Sequence, residues 1–227
     1  MSALNFGCSL EFKRATVAEF LYLHGFASGP QSAKGVYLRD RFQTCGVSLH
    51  LLDLNQDNFT HLTLTRQIEQ VSAALPTESM TLIGSSLGGL TAAWVAERHL
   101  QVTRLVLLAP AFEFVARWRD RLGKETIETW RSQTYLEVYH YAVGRTLPLH
   151  YAFLPDASNY SEMKLKRNVP TLILHGRQDD VVPLAASQTY AASRPWVHLT
   201  ELDSDHALGN VKAEIWQAIQ SFCADDF

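Results

Sequence analysis

Two rhythms of apolar and polar positions alternate along the chain. Short apolar runs read as strands buried on both faces: Phe20-Leu21-Tyr22-Leu23, Ser48 to Leu54, Met80-Thr81-Leu82-Ile83, Arg104 to Pro110, Val169 to Gly176 and Trp196 to Leu202. Between them lie stretches with helical spacing. Ser32 opens one through Val36, Leu38, Phe42 and Cys45, and Gly46 suits its C-cap. Leu62 to Leu75 sets Leu64, Ile68, Val71 and Leu75 on one face. Gly89 to Arg98, Leu184 to Ser193 and Val211 to Phe222 complete the set. Strands that alternate with helices predict an α/β domain, with a mostly parallel sheet covered by helices on both faces. Leu10 to Arg14 allows a short additional edge strand.

Residues 111–168 break this rhythm. Phe112, Val115, Trp118 and Leu122 have helical spacing, Ile127 with Trp130 suggests a second short helix, and Tyr135 to Tyr151 alternates around Gly144-Arg145 as a hairpin would. The segment falls between two sheet strands, where a cap over a site would sit. Its aromatic residues either line a substrate pocket or form the insertion's own small core. With no repeat, low-complexity tract or linker in view, residues 1–227 are read as one domain carrying that insertion.

The 227 residues are 47% hydrophobic and 19% charged, with a net charge of −3, which gives no argument for nucleic acid or an anionic membrane surface. No apolar run approaches the roughly 20 residues of a membrane span, and Glu11, Lys13 and Arg14 interrupt any signal-peptide core. Cys8, Cys45 and Cys223 are scattered and odd in number, so a disulfide framework is not expected. The reading is a soluble cytoplasmic protein, with its oligomeric state left open.

The chemistry gathers at the predicted strand ends. Gly84-Ser85-Ser86-Leu87-Gly88 follows an apolar run and precedes a helical one, the strand–turn–helix context in which G-x-S-x-G presents a nucleophile. The serine must take a cramped backbone conformation, and the positions two before and two after it must lack bulk. The glycine spacing places Ser86 at the apex and leaves Ser85 a rival; a glycine-rich turn without chemistry is the plainer alternative. A serine hydroxyl needs a base, and His206, in the polar turn Asp203-Ser204-Asp205-His206 before the last helix, is the favoured one. His24 and His175 each begin a His-Gly turn, where a ring more often braces the loop. The acid is expected after the preceding strand. Asp179 is preferred there over its neighbour Asp180, to fix the tautomer of His206 and stabilise the imidazolium. An oxyanion hole would use the backbone N–H groups of Leu87 and Phe26. His24, Trp118, Trp130 and Tyr139 complete the expected substrate pocket.

Taken together, Leu23-His24-Gly25-Phe26, Gly84 to Gly89, His175-Gly176-Arg177-Gln178-Asp179 and Asp205-His206 resemble the α/β-hydrolase superfamily from Phe20 onwards. More narrowly, Tyr22 to Lys34 is similar to the opening of the YqiA-like esterases. The resemblance implies an α/β-hydrolase fold and a small cytoplasmic esterase or thioesterase without a cofactor, acting on a small-molecule ester or thioester. Hydrolysis of a carbon–carbon bond or a lyase reaction with the same triad is the enzymatic alternative, and a binding module on the same fold is the non-enzymatic one. No paired metal-ligand spacing, P-loop or dinucleotide fingerprint occurs, so no metal or nucleotide is expected. Arg117, Arg119 and Arg121 read as a solvated helix face, with contact to an anionic leaving group as the alternative.

Overall fold

The computed structural model describes residues 19–227; the expected strand Leu10 to Arg14 lies outside them. Six strands form one parallel sheet: β1 (Glu19–Leu23), β2 (Leu49–Leu52), β3 (Met80–Ser85), β4 (Val102–Leu108), β7 (Thr171–Gly176) and β8 (Val197–Leu202). Their order is β2-β1-β3-β4-β7-β8, so the chain steps outward from β1 to β2 and then crosses back to the other side of β1. A reversal of this kind opens a crevice beyond the carboxyl ends of the strands, where α/β proteins bind ligands.

The unbroken apolar runs follow from burial on both faces. In β1, Leu21 and Leu23 enter one core cluster while Phe20 and Tyr22 enter the other. In β4 the division is Leu105 and Leu107 against Val106 and Leu108. Helices α1 (Ala33–Thr44) and α7 (Lys212–Phe222) cover the second cluster through Leu38, Phe42, Ile215, Trp216 and Ile219. The first cluster lies under α2 (Leu64–Ala73), α3 (Leu87–Arg98) and α6 (Leu184–Ala192). The caps are local and legible: the side chain of Ser32 accepts from Gly35 N–H, and that of Thr63 from Arg66 N–H.

Residues 111–168 stay out of the main sheet. They form α4 (Phe114–Gln133), the antiparallel ribbon β5 (Tyr135–His140) with β6 (Arg145–His150), and the short α5 (Phe153–Ala157), which periodicity did not predict. The two helices expected here are both present, run together in α4 across Gly123, whose φ of 75° and ψ of 161° break the helical path between them. The expected hairpin turn is present, with Gly144 at φ 66°. The ribbon is tied to the loop after β1 by Tyr141 N–H donating to Ala27 C=O at 2.8 Å. Among the described residues no helix is long and apolar enough to cross a membrane.

Candidate active site

Sheet register brings the strand ends level: Leu23 pairs with Gly84, Ser85 with Leu108, Leu108 with Leu174 and Gly176 with Leu202. The loops leaving β1, β3, β7 and β8 therefore open along one edge. Ser86 leaves β3 at φ 54° and ψ −119°, outside the regions an L-residue ordinarily occupies. Its neighbours allow this. A Cβ on Gly88 would run into the carbonyl oxygens of Leu23 and His24, and one on Gly84 would lie 2.7 Å from the Cα of Gly89. Ser86 is also the N-cap of α3, yet its side chain makes no capping bond. The strained backbone turns the hydroxyl outward.

That hydroxyl meets an imidazole. Ser86 Oγ lies 3.0 Å from His206 Nε2, and His206 Nδ1 lies 2.8 Å from Asp179 Oδ2. A carboxylate only accepts, so the Nδ1 proton points to Asp179 and the Nε2 lone pair faces the hydroxyl of Ser86. Asp179 is held from several sides: Oδ1 accepts from the N–H groups of Val181 and Val182 at 2.9 and 2.7 Å, and Oδ2 also lies 3.1 Å from His175 Nε2. Burial alone would raise the pKa of Asp179, but the bonds from His175, His206 and Val182 N–H outweigh it and hold the carboxyl far below its usual range. Asp180, by contrast, is exposed on the wall of the cleft.

A folded-state pKa below the unfolded one stabilises the protein above the unfolded value, and that stabilisation is lost as pH falls through the folded value. The melting-temperature gap between wild type and Asp179→Asn is expected to be full at pH 7 and to shrink only below about pH 4. A gap that closes already between pH 7 and 5 would mean the carboxylate is not held in this way.

His175 contributes more than the bracing expected of a His-Gly turn. Its fully buried ring approaches Val182 C=O at 2.8 Å and the Asp179 carboxylate through the same Nε2, both acceptors only. Nε2 therefore carries a proton, and Nδ1 sits 2.8 Å from Ser187 Oγ. The ring joins Asp179 to α6. The N–H groups of Leu87 and Phe26 have no hydrogen-bond partner among the described residues.

The site opens into a cleft of about 680 Å³ lined by Ser86, His206, Phe26, Trp118 and Tyr139 among others. Two of the residues expected in that lining are elsewhere. His24 is buried beneath the loop: its Nε2 accepts from Leu54 N–H at 2.9 Å and its Nδ1 donates to Gly25 C=O at 2.9 Å. Burial lowers its pKa, with Gly25 C=O and Asp53 pulling the other way. Trp130 is 1% exposed and donates from Nε1 to Leu149 C=O at 2.9 Å, behind Trp118. Trp130→Ala is expected to cost about 3–5 kcal/mol of stability, read as a fall in melting temperature. Loss below 1 kcal/mol would return Trp130 to the pocket. Among the described residues no three His, Cys, Asp or Glu side chains converge as a metal site requires.

Residues 19–223 match the model of the uncharacterised protein family UPF0227. The chain belongs to that family. No curated relative matches it by sequence. Solved structures similar to this UPF0227 member include alpha/beta hydrolase domain-containing protein 10 from mouse, 21% identical with a TM-score of 0.72 over 92% of this chain and 88% of that one. Est1E from Butyrivibrio proteoclasticus, in a structure with ferulic acid bound, is 20% identical with a TM-score of 0.77 over 92% and 89%. An alpha/beta hydrolase enzyme, MGS-MChE2, from a sediment metagenome of the Mar Chica lagoon in Morocco, is 19% identical with a TM-score of 0.66 over 92% of each chain. At these identities the likeness establishes the fold: this UPF0227 chain has the α/β-hydrolase architecture.

Proposed function

We propose that this UPF0227 member is a serine hydrolase that cleaves a carboxylic ester or thioester of a small molecule through an acyl-enzyme. The observation that carries the reading is the hydrogen-bonded line from Ser86 Oγ through His206 to Asp179, at 3.0 and 2.8 Å, with its open end in the cleft. Ser86 Oγ bonds to the acyl carbon while its proton passes to His206 Nε2. Asp179 keeps the imidazolium oriented, and the free N–H groups of Leu87 and Phe26 receive the developing oxyanion. Collapse of the tetrahedral intermediate breaks the bond to the leaving group, which takes the proton from His206. Water then gives a proton to His206 and its oxygen to the acyl carbon, and the proton returns to Ser86 as the acid departs. The ferulic acid bound in the Est1E structure, a carboxylic acid such as ester hydrolysis would release, fits this reading.

The same proposal makes residues 111–168 a cap over the cleft. Trp118 supports it, packing against Phe26 at 5.2 Å between ring centroids and lining the cleft from α4. Trp118→Ala is expected to shift the preferred acyl length; equal losses on all lengths, in step with melting temperature, would make Trp118 core only. The three scattered cysteines suit a reducing compartment, and the cytoplasm is the one we favour.

The deciding test is labelling of the folded protein with a fluorophosphonate probe, read by intact mass and peptide mapping, with ester and thioester panels beside it. A single adduct on Ser86 is expected. An adduct on Ser85, or none on folded protein, would defeat the mechanism.

A further inference from the structure

Lys34 stands where stability alone gives no reason for a lysine. It is the second residue of α1, and the first turn of that helix holds no acidic residue. The N-terminus of a helix carries partial positive charge, so a cation there opposes the helix dipole. Lys34 is half-buried, and burial pushes its pKa down to about 8, against the pull of Asp179 and Asp205. Neither carboxylate pairs with it. Asp179 is engaged by His206, His175 and two backbone N–H groups, and Asp205 accepts from the N–H groups of Ala207 and Leu208 at 3.0 and 3.2 Å. Among the described residues no hydrogen bond or ion pair reaches the Lys34 ammonium, and Lys34 lines the same cleft as Ser86 and His206. Arg121, also without a partner among the described residues, lines that cleft too, whereas Arg117 is committed to Glu113 at 2.7 Å.

We propose that the cleft wall at Lys34 is a binding subsite for an anionic group, a carboxylate or a phosphate, carried by the substrate. A half-buried ammonium with no acceptor of its own can form a charge-assisted bond to an incoming anion, and the dipole of α1 acts in the same sense. That the anion belongs to a substrate rests on the esterase reading; the anion site itself does not. Balancing Asp179 and Asp205 is not a sufficient reason for the lysine, since both have their own donors.

The test pairs p-nitrophenyl valerate with mono-p-nitrophenyl glutarate, which adds a terminal carboxylate. Alongside it, calorimetric binding of glutarate and of inorganic phosphate is measured in a buffer free of both. Wild type is expected to favour the glutarate ester at least tenfold in kcat/KM, mainly through KM. Lys34→Met is expected to lower the ratio of anionic to neutral kcat/KM at least tenfold, and Lys34→Arg to keep most of it. The tighter of the two anions identifies the carboxylate or the phosphate as the preferred group. An unchanged ratio in Lys34→Met, or equal losses on both esters, would overturn the proposal and leave Lys34 a charge balance for Asp179. If neither ester is hydrolysed, calorimetry decides: Lys34-dependent anion binding sustains the subsite while the esterase reading fails, and no binding to wild type overturns the subsite. Should Lys34→Met not fold, as judged by melting, the wild-type ratio decides, and its absence is equally fatal.

Discussion

Ser86→Ala is expected to lower kcat on any accepted ester by roughly four to six orders of magnitude while the protein melts within a few degrees of wild type. The loss is large because the hydroxyl is the attacking atom in the proposed mechanism and no neighbour replaces it: Ser85 is a buried strand residue paired with Leu108. Stability should change little because the side chain makes no cap bond and its one hydrogen bond is to the imidazole. The strain at φ 54° belongs to the backbone and remains in the variant. Residual turnover within tenfold of wild type would mean that the chemistry lies elsewhere in the cleft.

Asp179→Asn should have the second largest effect, a fall in kcat of roughly 10⁴-fold with a smaller change in KM. An amide at that position can donate to His206 Nδ1 and so select the tautomer whose Nε2 bears a proton, which cannot accept one from Ser86. The amide would also face His175 Nε2 and the N–H groups of Val181 and Val182, all donors. Some loss of stability is therefore expected together with the loss of rate. Near-normal turnover would pass the role of the acid to another group. The exposed Asp180 would be the first to examine.

The residues that the sequence makes legible are those whose role is local. Gly84 and Gly88 announce the sharp turn at Ser86 because a backbone turned that sharply excludes side chains two positions either way, a constraint contained within five residues. The two-sided strands show themselves by unbroken apolar runs, and Ser32 and Thr63 mark helix starts by the reach of one side chain to the next turn. The proposed base was findable too, since a polar turn between the last strand and the last helix has few places to put an imidazole.

Pairings across the chain are a different matter. Asp179 and Asp180 are adjacent and chemically alike, so preference between them rests on which way the backbone faces; the N–H groups of Val181 and Val182 turn Asp179 inward, toward His206. His24 and Trp130 sit in stretches that supply pocket residues, but His24 is spent on Leu54 N–H and Trp130 on Leu149 C=O. Aromatic character does not reveal which side of a packed cluster faces the void. Nor does it separate Trp118, on the cleft wall, from Trp130 behind it.

The sequence by itself determined the α/β alternation, the family and the small set of groups from which a site is built, because periodicity and turn chemistry are short-range. Only the tertiary structure decided which of those groups meet. It set the order of the strands, aligned their ends, brought His175 against Asp179 and left the ammonium of Lys34 without a partner in the cleft. Each of these depends on contacts between segments far apart in the chain, and no local propensity encodes the distance at which two such segments come to rest.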